Sequence, residues 1–427
     1  MPKFSKKQVT IIIGGAVLVI VVFFLIFWGL RPSTNTGPAV TLTVWGTENS
    51  TVLGSILASY PYGKINYVEV DAANYASRLL SALAAGTGPD VFEINNRDLP
   101  KWKSAVAPFP TSSTQFNFLA LQSEFPDVVA RDFTSNGQIY GLPLSIDTLV
   151  MVYNKDLLNS AGIAILPKTW DDFDADVVRL RAVDAQGKLT QAAAAIGGSL
   201  AGVPHAPDIL SLLMLQNGTQ MTNDGNTAAT FAGQDSGATG IGAFNFYLQF
   251  ANAASPYYAW NDAMGNAVDS FVAGKTAIIF AYQSDFARIR AKAPFLNVGI
   301  APVPQAKGAS IAVNYPNYDG FVAARTGQAA VAWNLILYLT TVPANATAYQ
   351  NATGKPPALR TVIQGDANDP NLSVFALQAL TARSWHEADA ARIDAIFDTA
   401  IKNVLTGAED SVRALKEAEA AVTQLMR

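Results

Sequence analysis

A run without a single charge, from Gln8 to Leu30, stands near the head of this chain, just after Lys3, Lys6 and Lys7. As a helix its core, Ile11–Leu30, would rise about 30 Å, roughly the thickness of the hydrocarbon layer of a bilayer. Nothing else in the sequence constrains the fold as strongly, because an apolar helix of that length is either held in lipid or cut away. The basic residues precede the run, so the positive-inside bias puts the N-terminus in the cytoplasm and everything after Arg31 outside. A cleaved signal peptide is the alternative; its apolar region is usually only about 7–15 residues and ends at small residues. Here the run ends in Phe27-Trp28-Gly29-Leu30, and no Ala-x-Ala follows. The expectation is therefore an uncleaved single-pass anchor over 1–31, a tether over 32–39, and an extracytoplasmic body held at the cell membrane. A lipoprotein anchor needs a cysteine, and the chain has none. The same absence removes disulfides, thiolate nucleophiles and Cys-based zinc sites.

Beyond the anchor remain about 390 residues, enough for two domains with cores of their own. Apolar residues make up 50% and charged residues 15% of the chain, against a usual charged share of about a quarter. The surface must then be dressed largely with Ala, Ser, Thr, Asn and Gln. A net charge of -4 gives no case for nucleic-acid binding, which needs a clustered basic face.

Pro32–Pro38 is a short polar tether. After it, extended and helical patterns alternate. Val40–Trp45, Ile65–Val70 and Asp90–Ile94 read as strands, with helical spacing over Thr51–Ser59 and Asn74–Ala85 between them. Helices poor in charge follow at Trp170–Ala182, Ile209–Gln216, Ala238–Ala253 and Met264–Ala273. Further strands are expected at Ala277–Ala281, Val298–Ala301 and Gly320–Ala323, and two amphipathic helices at Ala388–Lys402 and Ala408–Met426. Gly/Pro punctuation between such runs predicts α/β architecture with a mostly parallel sheet.

Catalytic patterns are scarce. With only His205 and His386, few acid–base designs are open, and no His-Glu-x-x-His occurs. Gly197-Gly-Ser-Leu-Ala201 lacks the last glycine of a nucleophile elbow. Ala273-Gly-Lys-Thr276 ends like a phosphate loop, but Asp269 stands where that loop needs glycine; it reads as a turn feeding a strand. Gly86-Thr-Gly-Pro-Asp90 follows a helix and precedes a strand, the wrong order for a helix N-terminus to meet an anion. Asp171, Asp172, Asp174 and Asp176 follow Thr169-Trp170, where Thr169 can cap a helix whose first turns favour negative charge. No catalytic residue, metal site or cofactor is expected.

Tryptophan is placed more tellingly. Trp45 ends the first strand of the body, where side chains at strand C-termini face a ligand crevice in open α/β sheets. Trp260 lies in the loop Tyr257–Asp262, and Trp385 in a polar stretch between helices. Flat aromatic faces with amides and carboxylates at the edges suit a polyhydroxylated ligand.

Several landmarks run in a familiar order: Leu42-Thr-Val-Trp45, Arg78–Phe92, Tyr140-Gly-Leu-Pro-Leu-Ser-Ile-Asp147, Val152-Tyr-Asn-Lys-Asp-Leu157, Pro167–Phe173, Phe271–Ile278, Val298–Pro304 and the tail Ala408–Met426. In them the chain, from about Val40 to its end, resembles the extracellular solute-binding proteins of family 1, the maltose-binding-protein-like receptors of ABC importers. The resemblance implies a two-lobe α/β fold with a hinge, a periplasmic-binding-protein fold of type II. Lobe I would be 40–146 plus 300–342, and lobe II 147–299 plus 343–427. The first crossing between lobes would lie around Leu142–Tyr153 and the second at Val298–Pro304. It further implies a monomer that captures a small solute, a sugar or oligosaccharide, in the cleft and presents it to permease subunits. By motif, the cleft positions would be Trp45, Glu48, Asn49, Asn95, Asn96, Arg97 and Asp147. From the second lobe come His205, Tyr282, Gln283, Ser284 and Trp385, with Tyr318 and Asp319 before the strand returning from the second crossing. Trp260 joins this set on its aromatic character. Many relatives carry an aromatic where this chain has Ser284, with Tyr282 as the candidate substitute, which leaves the particular sugar open. The other readings are a receptor that presents its solute to a sensor, and a carbohydrate-active enzyme with two facing carboxylates.

Overall fold

The computed structural model describes residues 40–427 apart from 112, 114, 234–238, 327 and 371. The expected anchor and tether lie outside the described residues. Among the described residues no helix is long and apolar enough to cross a membrane. Leu42–Pro61 and Ile65–Arg427 form one compact unit, and that unit is built on two sheets.

The first sheet takes β1 (Val40–Gly46), β2 (Gly63–Glu69), β3 (Val91–Asn95) and β4 (Val106–Ala107), with α1 (Ser50–Ala58) and α2 (Tyr75–Ala84) between the early strands. Val91–Ile94 is buried at every position, so this strand is covered on both faces and reads as an apolar run broken only by Glu93. Helix α3 (Asp127–Phe133) leads into a small hairpin of β5 (Thr134–Ser135) and β6 (Gln138–Ile139), then β7 (Gly141–Pro143). The chain leaves this sheet through β8 (Asp147–Thr148) and enters the second at β9 (Val150–Asn154).

The second sheet adds β10 (Ala182–Val183), β11 (Leu189–Ala195), β12 (Thr276–Ala281) and β13 (Val298–Ala301) in the order β10-β11-β12-β9-β13. Its helices include α4 (Trp170–Leu180), α5 (Ala206–Gln216), α6 (Thr239–Gln249) and α7 (Gln283–Lys292). Thr169 caps α4 in a reciprocal capping box with Asp172, so the acidic cluster there serves a helix start. The chain then returns through β14 (Pro316–Asn317) to β15 (Asp319–Ala324), which completes the first sheet as β2-β1-β3-β15-β4.

The sheets are mixed, not mostly parallel. β1–β3 and β11–β12 are parallel, whereas β15 runs antiparallel to β3, β4 and β7, and β9 antiparallel to β12 and β13. The reason lies in the crossings. Strands of βα units run toward the gap between the sheets, but β9 and β15 are reached from across that gap and so start there. Registers show it: Asp319 at the start of β15 pairs with Asn95 at the end of β3, and Val150 pairs with Ala281. The crossings themselves pair as β8 and β14, Asp147 opposite Asn317 and Thr148 opposite Pro316. The chain first passes between the sheets over 144–149, between β7 and β9. The second crossing does not fall where the motif put it: Val298–Ala301 is a full strand of the second sheet, and the chain crosses later, over 302–318.

Helix α8 (Ala329–Thr341) packs on β15, and α9 (Pro343–Thr353) packs on α1 and α8. α10 (Arg360–Gly365) meets the helix Phe118–Glu124, and α11 (Ser373–Ala379) lies against β8. The tail helices α12 (Ala390–Leu405) and α13 (Ser411–Leu425) pair with each other and cover α5 and α6 on the second sheet. On α13 the buried residues Ala414, Leu415, Ala418 and Val422 keep helical spacing, the stripe that an amphipathic helix turns to its core.

Candidate functional site

The C-terminal ends of the parallel strands of both sheets meet at the gap between the lobes, the usual place for a ligand in open α/β sheets. Two cavities lie there. The hinge-end cavity, about 170 Å³, is lined by Glu48, Glu93, Asp147, Asp319, Tyr349 and Lys355, with Ser145, Tyr282, Ser284, Asn317 and Tyr318 among the remainder. The outer cavity, about 780 Å³, is lined by Asn96, Arg97, Lys103, Arg131, Asp132, Arg383, Trp385, His386 and Glu387 among others. Only the second falls within the roughly 300–1,000 Å³ of a drug-sized ligand pocket.

Local sequence explains how the carboxylates of the hinge end come together. Glu93 is the charged residue inside the apolar β3, and its carboxylate accepts the Thr47 N–H at 3.0 Å at the end of β1. A Cβ on Gly46 would stand 2.7 Å from Glu93 Oε2 and 2.8 Å from the Tyr67 hydroxyl, so only glycine leaves room for this approach. Glu48, two residues after Gly46, receives Lys355 Nζ and the Tyr349 hydroxyl, both at 2.5 Å. Asp147, on the first crossing, accepts the Gln283 N–H at 2.9 Å and the Thr148 N–H at 2.9 Å. It thereby ties the hinge to the start of α7. Asp319 accepts from Asn95 Nδ2 at 3.3 Å, and the same amide donates to Asn317 Oδ1 at 2.9 Å.

Burial sets the ionisation of these groups. It pushes Glu93 up to about 8, with the nearby Asp319 charge acting the same way. Burial also raises Asp147 to about 7 against the hydrogen bonds from Gln283 and Thr148, and raises Asp319. Burial works on Glu48 as well, but Lys355 and Tyr349 outweigh it and hold its carboxyl below the ordinary value.

A polar wall separates the two cavities and joins the lobes. Arg97 grips Asp394 of α12 through two bonds of 2.9 Å and reaches Asp208 of α5 and Glu387 at 3.4 Å each. Asp208 and Glu387 are completed by the hydroxyls of Tyr282, at 2.8 Å, and Tyr315, at 3.1 Å. Glu387, 1% exposed, is pushed up to about 8 by burial although Arg97 opposes the shift. Beside it Asp132 of α3 accepts from Asn96, Tyr318 and Ser384, and burial still raises it to about 6. Lys101–Asp389, at 3.3 Å, is a further bridge between lobes.

The structure brings Glu48, Asp147, Tyr282, Ser284, Tyr318 and Asp319 to the hinge-end cavity, and Asn96, Arg97 and Trp385 to the outer one. Asn95 supports Asp319, and Gln283 reaches the site through its backbone N–H. His205 stands just behind: its Nε2 lies 2.6 Å from Asp285 Oδ2, and its ring packs edge-on against Tyr282 with the ring centres 4.8 Å apart. Burial depresses His205, but the Asp285 carboxylate more than reverses this, and its pKa ends above the ordinary value.

Like Asn95, Gln283 and His205, three further expected residues line neither cavity. Trp45 is half-buried beneath the Arg78 guanidinium, 5.6 Å from the ring centre. Asn49 caps α1, accepting the Thr51 N–H at 2.9 Å. Trp260 is a correction: it is 0% exposed, a central member of the second lobe's core. A Cβ on Gly198 would stand 2.8 Å from its ring, so the indole lies on bare backbone and offers no face to a solute. The same turn buries Ser199, whose hydroxyl donates to Asp262 at 2.6 Å. Trp385 is also mostly core, 7% exposed and packed against Phe231 and Phe397, so little more than its edge is left for the outer cavity.

Sequence reasoning missed Glu93, Asp132, Asp208, Glu387, Asp394, Tyr349 and Lys355. A charge inside an apolar strand was the available signal for Glu93, and a charge in an apolar helix for Asp208. Nothing local marks Lys355, which comes 307 positions after its partner Glu48.

Comparison with known proteins now bears on this geometry. The profile of the family described as bacterial extracellular solute-binding protein matches residues 57–346. The maltodextrin-binding protein of Bacillus subtilis is 26% identical over 313 residues, 69% of this chain and 70% of that one. A binding protein of Brucella abortus is 28% identical over 133 residues, and the chain spans only 31% of its length. Among solved structures, the cyclic α-maltosyl-1,6-maltose-binding protein of Arthrobacter globiformis superposes with a TM-score of 0.75 at 18% identity, covering 91% of this chain and 99% of that one. At that identity the likeness establishes the two-lobe fold.

Proposed function

Since the chain belongs to the bacterial extracellular solute-binding proteins, we propose that its body captures a sugar or oligosaccharide in the interlobe groove and hands it, unchanged, to an ABC-type permease. The observation that carries this reading is the pair of cavities between the lobes, walled from both sides by hydrogen-bonding side chains. Carboxylates and amides of this kind pair with hydroxyls, and a groove built on such pairing rejects solutes that leave it unmatched. Relatives whose names specify maltodextrin and a cyclic maltosyl-maltose support the substrate class.

Within this reading lobe I comprises 40–146 and 319–365, because α9 and α10 pack on the first sheet's side. Lobe II comprises 149–301 and the tail from α12. The two crossings paired at Asp147 and Asn317 are the hinge. A solute touching both lobes shifts the population toward the closed form, since its full set of contacts exists only there. An N-terminal anchor would keep the body beside the permease.

The enzyme reading has one observation in its favour. Glu93 is pushed up to about 8 while Glu48, in the same cavity, is held low, and a split of that sort marks acid and base partners in glycosidases. Against it, Glu48 is tied to Lys355 and Tyr349 and is not free to attack. The test is a thermal-shift screen of the soluble body against malto-, gluco- and chito-oligosaccharides, with each sugar recovered afterwards. A saccharide that raises Tm and returns intact supports the receptor. No Tm response to any sugar overturns it, and a cleaved product decides for the enzyme.

A further inference from the structure

The hinge-end cavity is short of positive charge. Of its four carboxylates only Glu48 has a cation, Lys355. Glu93, Asp147 and Asp319 have no ion-pair partner among the described residues, and their hydrogen bonds come from backbone N–H groups and the amide of Asn95. Glu93 is 8% exposed and lines the cavity. One of its oxygens accepts the Thr47 N–H, and the other has no partner among the described residues.

The neighbours of Glu93 cannot serve that oxygen. Tyr67 of β2 donates to the Glu48 carbonyl at 2.7 Å, and Tyr75 of α2 is held by the backbone of Trp45 and Glu93. Asp319 of β15 and Glu48 of the β1–α1 turn add like charge, and Lys355 is held by Glu48. A buried carboxylate left like this is costly to ionise, and it becomes ordinary once a cation arrives beside it.

We propose that this end of the groove takes a protonated amine carried by the saccharide, so that the preferred ligand is an amino-sugar-containing oligosaccharide with its ammonium against Glu93 and Asp319. An ammonium brings three donors and one charge to a cavity that offers acceptors and lacks charge. A bare metal ion fits less well, because no three His, Cys, Asp or Glu side chains among the described residues are arranged to hold one. A volume of about 170 Å³ lies below that of a pocket for a whole drug-sized ligand, about 300 Å³ or more. It therefore receives one residue of the solute. The inference rests on the saccharide reading above and adds the charge of the ligand to it.

The test is a calorimetric comparison, on the intact soluble body at pH 6, of three probes: the glucosamine trimer, its fully N-acetylated counterpart and maltotriose. At that pH an amine stays protonated, below the roughly 7.7–8.0 of a free α-amino group. The glucosamine trimer is expected to bind about tenfold or more tighter than its acetylated form. Glu93→Gln should remove most of that preference. Asp319→Asn, at a more open position, should reduce it and provides the check if the first variant folds poorly. Equal or tighter binding of the acetylated trimer or of maltotriose overturns the amine inference and leaves the saccharide reading standing. Binding of none of the three overturns both.

Discussion

The two cavities sit on the same strand ends, and their chemistry is opposite. The hinge-end cavity carries four carboxylates and one lysine, while the outer cavity gathers Arg97, Lys103, Arg131 and Arg383 around Asp132 and Glu387. Between them Arg97 is shared by three carboxylates, Asp208, Glu387 and Asp394. The difference teaches that the groove is polarised along its length: cations collect at the outer end, and acids without a counter-ion, Glu93 the buried one among them, at the hinge end. Burial makes the second arrangement the more consequential, because desolvation penalises a charge that has no partner.

Removing the shared cation tests that view most severely. Arg97→Ala leaves Glu387 and Asp394 without a counter-ion and Asp208 with only His205, 3.9 Å away, and breaking a buried ion network in this way costs about 3–5 kcal/mol. Urea unfolding at pH 7 should show the loss, and lowering the pH to 5 should recover part of it as the carboxyls take up protons. Equal stability of variant and parent at pH 7 would mean that the wall between the cavities is not held by charge.

Trp385→Ala probes the outer cavity from its core side. The indole packs on Phe231 and Phe397, so its removal should destabilise the second lobe by roughly 3 kcal/mol, as a buried Trp→Ala change does. A small change in stability beside a large loss of solute affinity would show instead that the ring acts mainly as a stacking face.

The hinge end should reveal itself through pH. Glu93, at about 8, and Asp147, at about 7, hold a proton in the folded chain at pH values where their unfolded counterparts have lost it. Such groups contribute full stability below their unfolded values near 4, and that contribution is lost as the pH rises through 7 and 8. Glu387, at about 8, and the raised His205 act in the same direction. The lowered Glu48 and Asp285 act oppositely, but only below their ordinary values. The ligand-free Tm should therefore fall between pH 5 and pH 8. Glu93→Gln should flatten that fall, raising Tm at pH 8 by on the order of a few degrees. A Tm that climbs over this range would contradict the buried, uncompensated acids.

Smallest is Asn49→Ala. Loss of the cap on α1 should cost about 1 kcal/mol, read by thermal unfolding, with saccharide affinity unchanged. A fall in affinity beyond that would place Asn49 at the solute after all.

The order of landmarks in the chain carried the family and the two-lobe fold, and capping by Thr169 was legible because it depends on residues three positions apart. Asp147, Arg97 and Asp319 were legible as groove residues for a related reason: each sits at a strand end next to a motif. β11 was not read, since Leu-Thr-Gln and a run of alanines favours helix locally and becomes a strand only by burial between β10 and β12. Trp260 misled for the converse reason, because its loop looks exposed until Gly198 and Gly202 are folded beneath its ring.

What the sequence determined by itself is whatever is written in near neighbours: the uncharged run at the head, the alternation of strand and helix, the caps and turns, and the absence of cysteine chemistry. The tertiary structure alone decided the direction of β9 and β15, the place of the second crossing and the division of charge between the two cavities. Each of these depends on groups far apart in the chain, such as Glu48 with Lys355 and Arg97 with Asp394. Whether a carboxylate lies beside a cation or beside another acid in a dry groove is set by how the two sheets are joined, and that distance decides its ionisation.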